Sequence, residues 1–292
     1  MSDEKNDLSR RDFVAMSLAA GLAAAAGDTI VSGAALPVEV SDVSVKTPDG
    51  MCDAAFIHPT SGAHPGVLIW PDAFGLRPAM VDIGKRIAGE GYSVLVPNPY
   101  YRLTKAPGVD MNGFSFQNQA DMAKLRPLMG SINAPGAAEK DAVAFVAFLD
   151  GLKQVDTTKK IGTQGYCMGG PLVMKTAAAV SNRVGAGASF HGGGLVTNDP
   201  DSPHLLAPQI KAKMYFGIAA NDDRQQPDAK DKLREAFAAV NNPADIEVYT
   251  HAQHGWCVPD MPKQANGEPI YNKPDAERAW SKLVALYKAA LA

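Results

Sequence analysis

The sequence has few cysteines, little net charge and no long apolar run. Three cysteines in 292 residues are too few and too scattered for a disulfide framework or a zinc ribbon. Lys and Arg total 28 against 31 Asp and Glu, a net charge of −3, so no basic excess indicates a nucleic-acid-binding protein. What is present, 46% hydrophobic and 20% charged residues, is typical of a folded globular protein with a substantial core.

The first 35 residues have the pattern of an export signal. Arg10 and Arg11 directly precede residues 13–26, which carry no charge and are rich in Ala, Gly and Leu. This run is too short and too weakly apolar for the ~20 residues of a membrane span, so we expect no stable membrane anchor. The arginine pair resembles a twin-arginine signal, which implies the twin-arginine export machinery as a partner and a periplasmic or exported bacterial protein. An N-terminal helix packed on the domain is the alternative.

Strand and helix patterns alternate after residue 36. Apolar runs predict strands at 66–70, 92–96, 159–165, 184–190, 213–219 and 246–249, after a hairpin formed by 38–46 and 54–58. Helical spacing predicts helices at 80–88, 137–152, 169–181, 228–240 and 275–291. This order predicts one α/β domain over residues 36–292, with a mostly parallel central sheet and helices on both faces. Ligands bind at the carboxyl ends of the strands in such sheets, so the loops after the strands should carry the chemistry.

Residues 98–133 interrupt the alternation. They are rich in Asn, Pro, Gly and Met, and we expect an irregular excursion over one rim of the sheet. The shape of this excursion should decide which substrates enter the site.

The sharpest motif runs from Gly165 to Gly169, Gly-Tyr-Cys-Met-Gly, between a predicted strand and a predicted helix. It matches the nucleophile elbow Gly-x-nucleophile-x-Gly, with Cys167 as the nucleophile. A tight turn needs glycine two residues before and after the nucleophile, and the helix N-terminus stabilises a thiolate. The N–H of Met168 is then aimed at a developing oxyanion. A buried structural cysteine is the alternative, which the strand–turn–helix context disfavours.

A base and an acid follow the elbow in the expected chain order of nucleophile, acid and histidine. Asp222 and Asp223 come after one later predicted strand, and His251 and His254 come after the next. We favour Asp222 because it is closer to the strand end, while Asp223 suits a helix cap. We favour His254 because the glycine that follows it leaves room near the nucleophile. The sequence therefore predicts a triad of Cys167, Asp222 and His254.

These motifs and the loop 71–76, Pro-Asp-Ala-Phe-Gly-Leu, resemble the dienelactone hydrolase family of α/β-hydrolases over residues 40–290. The resemblance implies hydrolysis of a small-molecule ester or lactone through an acyl-enzyme, with no cofactor. It implies that Asp72 contacts the resting cysteine and that the N–H of Ala73 completes the oxyanion hole. It also implies that Arg102 binds a substrate carboxylate, although Val258 stands where the family has a second arginine.

Other residues have more than one interpretation. We expect Tyr100 and Trp256 to line the substrate pocket, with a core position as the alternative for Trp256. His251 and His254 lack further ligands, so we expect no metal site. We favour Cys257 as a small apolar residue of the core. It also supports a rival function, a periplasmic thiol-redox or binding module that uses Cys167 and Cys257 without hydrolysis.

Overall fold

Eight strands form one sheet within residues 34–264 and 266–292, the part of the chain that the computed structural model describes. They are β1 (Val38–Thr47), β2 (Gly50–Pro59), β3 (Gly66–Trp70), β4 (Ser93–Pro97), β5 (Ile161–Tyr166), β6 (Val184–Phe190), β7 (Lys213–Ala219) and β8 (Asp245–Tyr249). Their order across the sheet is β1-β2-β4-β3-β5-β6-β7-β8. β1 and β2 form the predicted hairpin, β2 pairs antiparallel with β4, and the pairs from β4 to β8 are parallel.

Helices cover both faces of this sheet. They are α1 (Pro78–Gly89), α2 (Gln119–Asn133), α3 (Ala137–Asp150), α4 (Gly169–Ala179), α5 (Ala220–Gln225), α6 (Ala229–Ala238) and α7 (Lys273–Ala290). Met80 of α1 and Leu283 of α7 belong to one buried apolar cluster, whereas Phe145 of α3 and Leu172 of α4 belong to another. The predicted mostly parallel sheet with helices on both faces is confirmed. The predicted export signal, apart from its last two residues, lies outside the described residues.

β3 shows why the central strands are continuous apolar runs. All five of its residues are buried. Leu68 and Trp70 contribute to the cluster on one face, and Val67 and Ile69 to the cluster on the other. Successive side chains of a strand point to opposite faces, so a strand covered by helices on both sides has no polar face.

The region 98–133 is not irregular throughout, because its last part forms α2. The side-chain oxygen of Asn118 accepts the N–H groups of Ala120 and Asp121, at 2.8 and 3.4 Å, and so caps the helix. Leu125 and Ile132, seven residues apart, are the buried residues of this helix. The prediction was wrong for residues 119–133, since the cap and this apolar pair support a helix despite the proline inside it.

Several loops meet at the carboxyl ends of the parallel strands. Residues 71–77 follow β3, the elbow follows β5, and residues 250–256 follow β8. After β7 the chain enters the short helix α5 directly, where a loop was predicted. Sheet topology therefore places all these predicted site segments at the carboxyl ends of the parallel strands.

Candidate active site

Cys167 occupies a sharp turn between β5 and α4. Its φ is +51°, in the left-handed region that non-glycine residues rarely adopt. A Cβ at Gly165 would lie 2.2 Å from the carbonyl oxygen of Gly169, and a Cβ at Gly169 would lie 2.4 Å from that of Trp70. Both positions must therefore be glycine, which explains the spacing of the motif. The Cys167 N–H donates to the carbonyl of Phe190 at 3.1 Å and ties the turn to β6.

The imidazole of His254 contacts a carboxylate and lies near Cys167. Its Nδ1 lies 3.0 and 2.9 Å from the two carboxylate oxygens of Asp222, and Cys167 is close enough to raise the pKa of the ring. The backbone N–H of His254 donates to Oδ1 of Asn221 at 2.8 Å. α5 thus fixes both the ring and the backbone of the histidine. Sequence reasoning missed Asn221, whose contact has no local signature.

The two adjacent acids of α5 have different partners. Asp222 contacts His254, whereas Asp223 accepts a hydrogen bond from Nζ of Lys230 at 2.7 Å. His251 is exposed to solvent. The geometry therefore groups Asp222, and not its neighbour, with the histidine that the sequence favours.

Tyr100 connects the two segments predicted to form the oxyanion hole. It is fully buried, and its hydroxyl donates to the carbonyl of Ala73 at 2.7 Å and to Sδ of Met168 at 3.4 Å. Met168 is the N-cap residue of α4, where backbone N–H groups lack partners within the helix. The expectation that Tyr100 binds substrate is corrected, because it supports Ala73 and Met168 from within the core.

Comparison with known families identifies the fold and the chemistry together. The model of the dienelactone hydrolase family matches residues 52–291, a span that includes every segment of the site. The chain belongs to the dienelactone hydrolase family. As a member of it, the protein is a hydrolase of carboxylic esters or lactones.

Individual relatives of this family member cover most of its length. A Methylorubrum extorquens protein, provisionally named a carboxymethylenebutenolidase, is 28% identical and covers 94% of this chain and 91% of its own. The carboxymethylenebutenolidase of Rhodococcus opacus is 26% identical over 78% and 86% of the two chains. A provisionally assigned dienelactone hydrolase structure from Klebsiella pneumoniae has a TM-score of 0.71 at 20% identity, covering 86% of this chain and 99% of its own. The α/β-hydrolase fold is confirmed.

In this dienelactone hydrolase family member, the carboxylate of Asp72 is bound to an arginine. It accepts Nη1 and Nη2 of Arg77 at 2.7 and 2.9 Å and the N–H of Phe74 at 2.9 Å. The hydrogen bonds of the Asp72 carboxylate go to Arg77 and Phe74 and not to Cys167, which corrects the implied contact with the resting cysteine. Sequence reasoning missed Arg77, since an arginine five residues after an acid in a loop has no characteristic spacing.

Arg102 is likewise committed to carboxylates of the protein itself. Its guanidinium donates to Asp141 at 2.7 and 2.8 Å and to Asp49 at 2.7 and 3.0 Å, and it stacks 4.6 Å from the ring centroid of Tyr101. Asp141 is fully buried. The expected role of Arg102 in binding a substrate carboxylate stays a prediction, and its guanidinium is already paired with two carboxylates of the protein. Val258, at the second arginine position, is fully buried.

Trp256 belongs to the core and does not line a substrate pocket, which corrects that prediction. It is fully buried and stacks on Tyr249 with ring centroids 4.7 Å apart. On its other side lies His191, at 5.2 Å, whose ring in turn lies 4.8 Å from that of His254. Burial, and then the charge of His254, lowers the pKa of His191 well below its ordinary value. His191 is therefore a neutral neighbour of His254.

Cys257 lines a cavity of about 480 Å³ between α1 and α7, together with Tyr166 and Trp280. Cys167 and His254 are not among the residues that line it. All three cysteines of the chain are free thiols. Burial raises the pKa of Cys257 well above its ordinary value, which keeps it as an unreactive thiol. These findings weigh against the thiol-redox alternative.

Metal-binding and membrane-spanning features were sought in the described residues. No group of three or more His, Cys, Asp or Glu side chains suited to a metal ion occurs there. None of the helices in the same residues has the length and apolar character needed to cross a membrane.

The surroundings of His254 favour its protonated form. Burial alone lowers its pKa, but the negative charge of Cys167 and the hydrogen bond to Asp222 outweigh that effect and raise the pKa to about 10. At neutral pH the imidazole of His254 is therefore protonated, beside Cys167.

We expect Cys167→Ala and Asp222→Asn each to lower the pKa of His254 from its value near 10. Each substitution removes a negative charge that holds the imidazolium proton, so the proton leaves at lower pH. The imidazole resonances can be followed by NMR against pH, with His254→Gln to assign them and His204 as an unaffected reference. An unchanged titration in both variants would contradict the described electrostatics.

Proposed function

We propose that this chain cleaves carboxylic ester or lactone bonds through a thioester on Cys167. The thiolate attacks the carbonyl carbon, a C–S bond forms, and the carbonyl electrons move to oxygen. The N–H groups of Met168 and Ala73 stabilise this oxyanion. The observation that carries the proposal is the contact of the Asp222 carboxylate with Nδ1 of His254, whose ring lies near Cys167 on its left-handed turn.

The remaining steps return the enzyme to its resting state. The tetrahedral intermediate collapses, the C–O bond breaks, and the leaving oxygen takes the proton of the His254 imidazolium. His254 then removes a proton from water, and the resulting hydroxide attacks the thioester carbonyl. Breaking of the C–S bond releases the carboxylic acid and restores the thiolate, while Asp222 holds the imidazole in one orientation throughout.

A thiolate nucleophile restricts which esters are cleaved. A thiolate is a better leaving group than an alkoxide of high pKa, so intermediates formed from unactivated esters revert to substrate. Enol-lactones and aryl esters expel an oxygen anion of lower pKa and go forward to the thioester. We therefore propose activated esters and enol-lactones as the substrate class.

We expect Cys167→Ala to lower hydrolysis of p-nitrophenyl acetate and of an enol-lactone by at least about 1000-fold, because the nucleophile is lost. Activity is measured as kcat/KM, with circular dichroism to show that the fold is retained. Cys257→Ala is the matched control and should keep full activity. Full activity of Cys167→Ala would reject the proposed site, and loss of activity in Cys257→Ala would favour the thiol-redox alternative.

The charge balance around the site supports uncharged substrates. Arg102 is paired with two carboxylates, and Val258 offers no charge. Phe74, directly after Ala73, packs with its ring centroid 5.1 Å from that of Phe114 and 5.4 Å from that of the half-exposed Phe116. Phe116 is the exposed member of this aromatic cluster, and an apolar surface there favours apolar groups over a carboxylate. The proposed substrates are thus neutral.

We expect the methyl ester of a carboxymethylene butenolide to be hydrolysed at its lactone with a kcat/KM at least about 10-fold above that of the free carboxylate. The two compounds share the lactone and differ mainly in charge, and desolvating an unpaired carboxylate is costly. Ring opening is followed by ultraviolet absorbance at two salt concentrations. Salt screens long-range attraction or repulsion between the protein and the charged substrate, so a preference that comes from it would change with salt. A preference for the carboxylate at both concentrations would contradict the proposal.

We further propose that residues 1–35 direct export through the twin-arginine machinery and are then removed. The support is the arginine pair followed by the short uncharged run. Removal takes away five acidic and three basic residues, which leaves 26 acidic and 25 basic residues and a net charge of about −1.

Expressed in a bacterium with this machinery, the full chain should appear in the periplasm with a mature N-terminus near residue 35. Changing Arg10 and Arg11 together to Lys should retain it in the cytoplasm as the uncleaved chain, because the paired arginines are the signal. Cell fractionation and N-terminal mass spectrometry measure both outcomes. Cys167→Ala is the control and should be exported normally, whereas export of the double-lysine variant would contradict the proposal.

A further inference from the structure

One buried arginine, Arg77, joins two segments of the proposed site. Its Nη1 and Nη2 donate to Asp72 at 2.7 and 2.9 Å, and its Nε and Nη2 donate to Asp260 at 2.8 and 2.7 Å. The side chains of Arg77 and Asp72 are only 5% and 1% exposed, whereas that of Asp260 is 38% exposed. A planar guanidinium with two bidentate carboxylates has little freedom to move.

The Asp72 end of this arrangement fixes the segment that carries Ala73. The Asp72 carboxylate also accepts the N–H of Phe74, and the Asp72 carbonyl accepts the N–H of Gly75 at 2.9 Å. Nη1 of Arg77 in turn lies 3.2 Å from the carbonyl oxygen of Gly75. Ala73 is therefore held between residues that are tied to one another and to the guanidinium.

The Asp260 end reaches the segment that carries His254, six residues earlier. Turn hydrogen bonds link Gln253 to Trp256, Gly255 to Val258 and Val258 to Met261, so residues 253–261 form a series of tight turns. Trp256 and Val258 are fully buried, which anchors this series in the core. A displacement of Asp260 is therefore passed to the backbone that leads back to His254.

We propose that Arg77 is a positioning residue for the hydrolysis, one that sets the Ala73 N–H relative to the His254 imidazole. This inference rests on the proposed function, because it assigns Ala73 to the oxyanion hole. Arg77 touches neither the sulfur nor the substrate in this mechanism. Its effect on the rate comes from geometry, since misplacing a stabilising group by about 1 Å costs roughly 100-fold in rate.

The test uses two variants and a matched control. Arg77→Lys keeps a positive charge but loses the planar fork, and kcat should fall about 10- to 100-fold with KM changed by less than about 2-fold. Asp260→Asn weakens only the link to the histidine segment, and kcat should fall about 3- to 10-fold. Glu277→Gln is the control, because it weakens the half-exposed pair of Glu277 with Arg86 and should leave kcat unchanged.

Two further measurements separate positioning from general stability. Urea unfolding gives the folded fraction of each variant, so that kcat can be expressed per folded molecule. The kcat of the double variant, Arg77→Lys with Asp260→Asn, should fall by less than the product of the two single fold-decreases, because both substitutions act on one link. The proposal would be overturned if both single variants kept the wild-type kcat per folded molecule. It would also be overturned if Glu277→Gln lowered kcat as much as they do. If Arg77→Lys fails to fold, Asp260→Asn decides alone. Failure of the proposed function itself is distinguished by full activity in Cys167→Ala.

Discussion

The close approach of backbone to backbone at the elbow is the constraint on which the rest of the site depends. Cys167 adopts a left-handed conformation only because Gly165 and Gly169 permit contacts that no side chain would allow. The contact of Gly169 with the end of β3 also brings α4 against the segment that holds Ala73. One steric requirement therefore positions the thiol and both proposed oxyanion donors together.

Much of this could be predicted from sequence, because it is encoded locally. Buried strands are continuous apolar runs, and the elbow and the loop containing His254 each occupy a few consecutive residues. The partners of Asp72 and Arg102 could not be predicted because they lie elsewhere in the chain: Arg102 pairs with Asp49 and Asp141, and Asp72 pairs with Arg77, which also binds Asp260, 183 residues after it. No local pattern indicates which carboxylate will meet a given arginine.

The buried arginines show how the protein uses positive charge. A guanidinium removed from water must be paired with carboxylates, and once paired twice it offers little attraction to a third anion. Arg102 and Arg77 each satisfy this condition within the protein. Neither therefore carries an unpaired charge, and each holds together segments that are distant in the sequence.

The pairing of Asp72 with Arg77 leaves His254 as the acid–base group of the proposed reaction. Burial raises the pKa of Asp72 above its ordinary value despite the opposing charge of Arg77, and the hydrogen bonds of its carboxylate go to Arg77 and the Phe74 N–H. His254 has negative groups on two sides and the neutral ring of His191 on another, and it is the group whose charged form is favoured. A protonated imidazole therefore lies beside Cys167, and in the proposed mechanism this is the proton that the leaving oxygen takes.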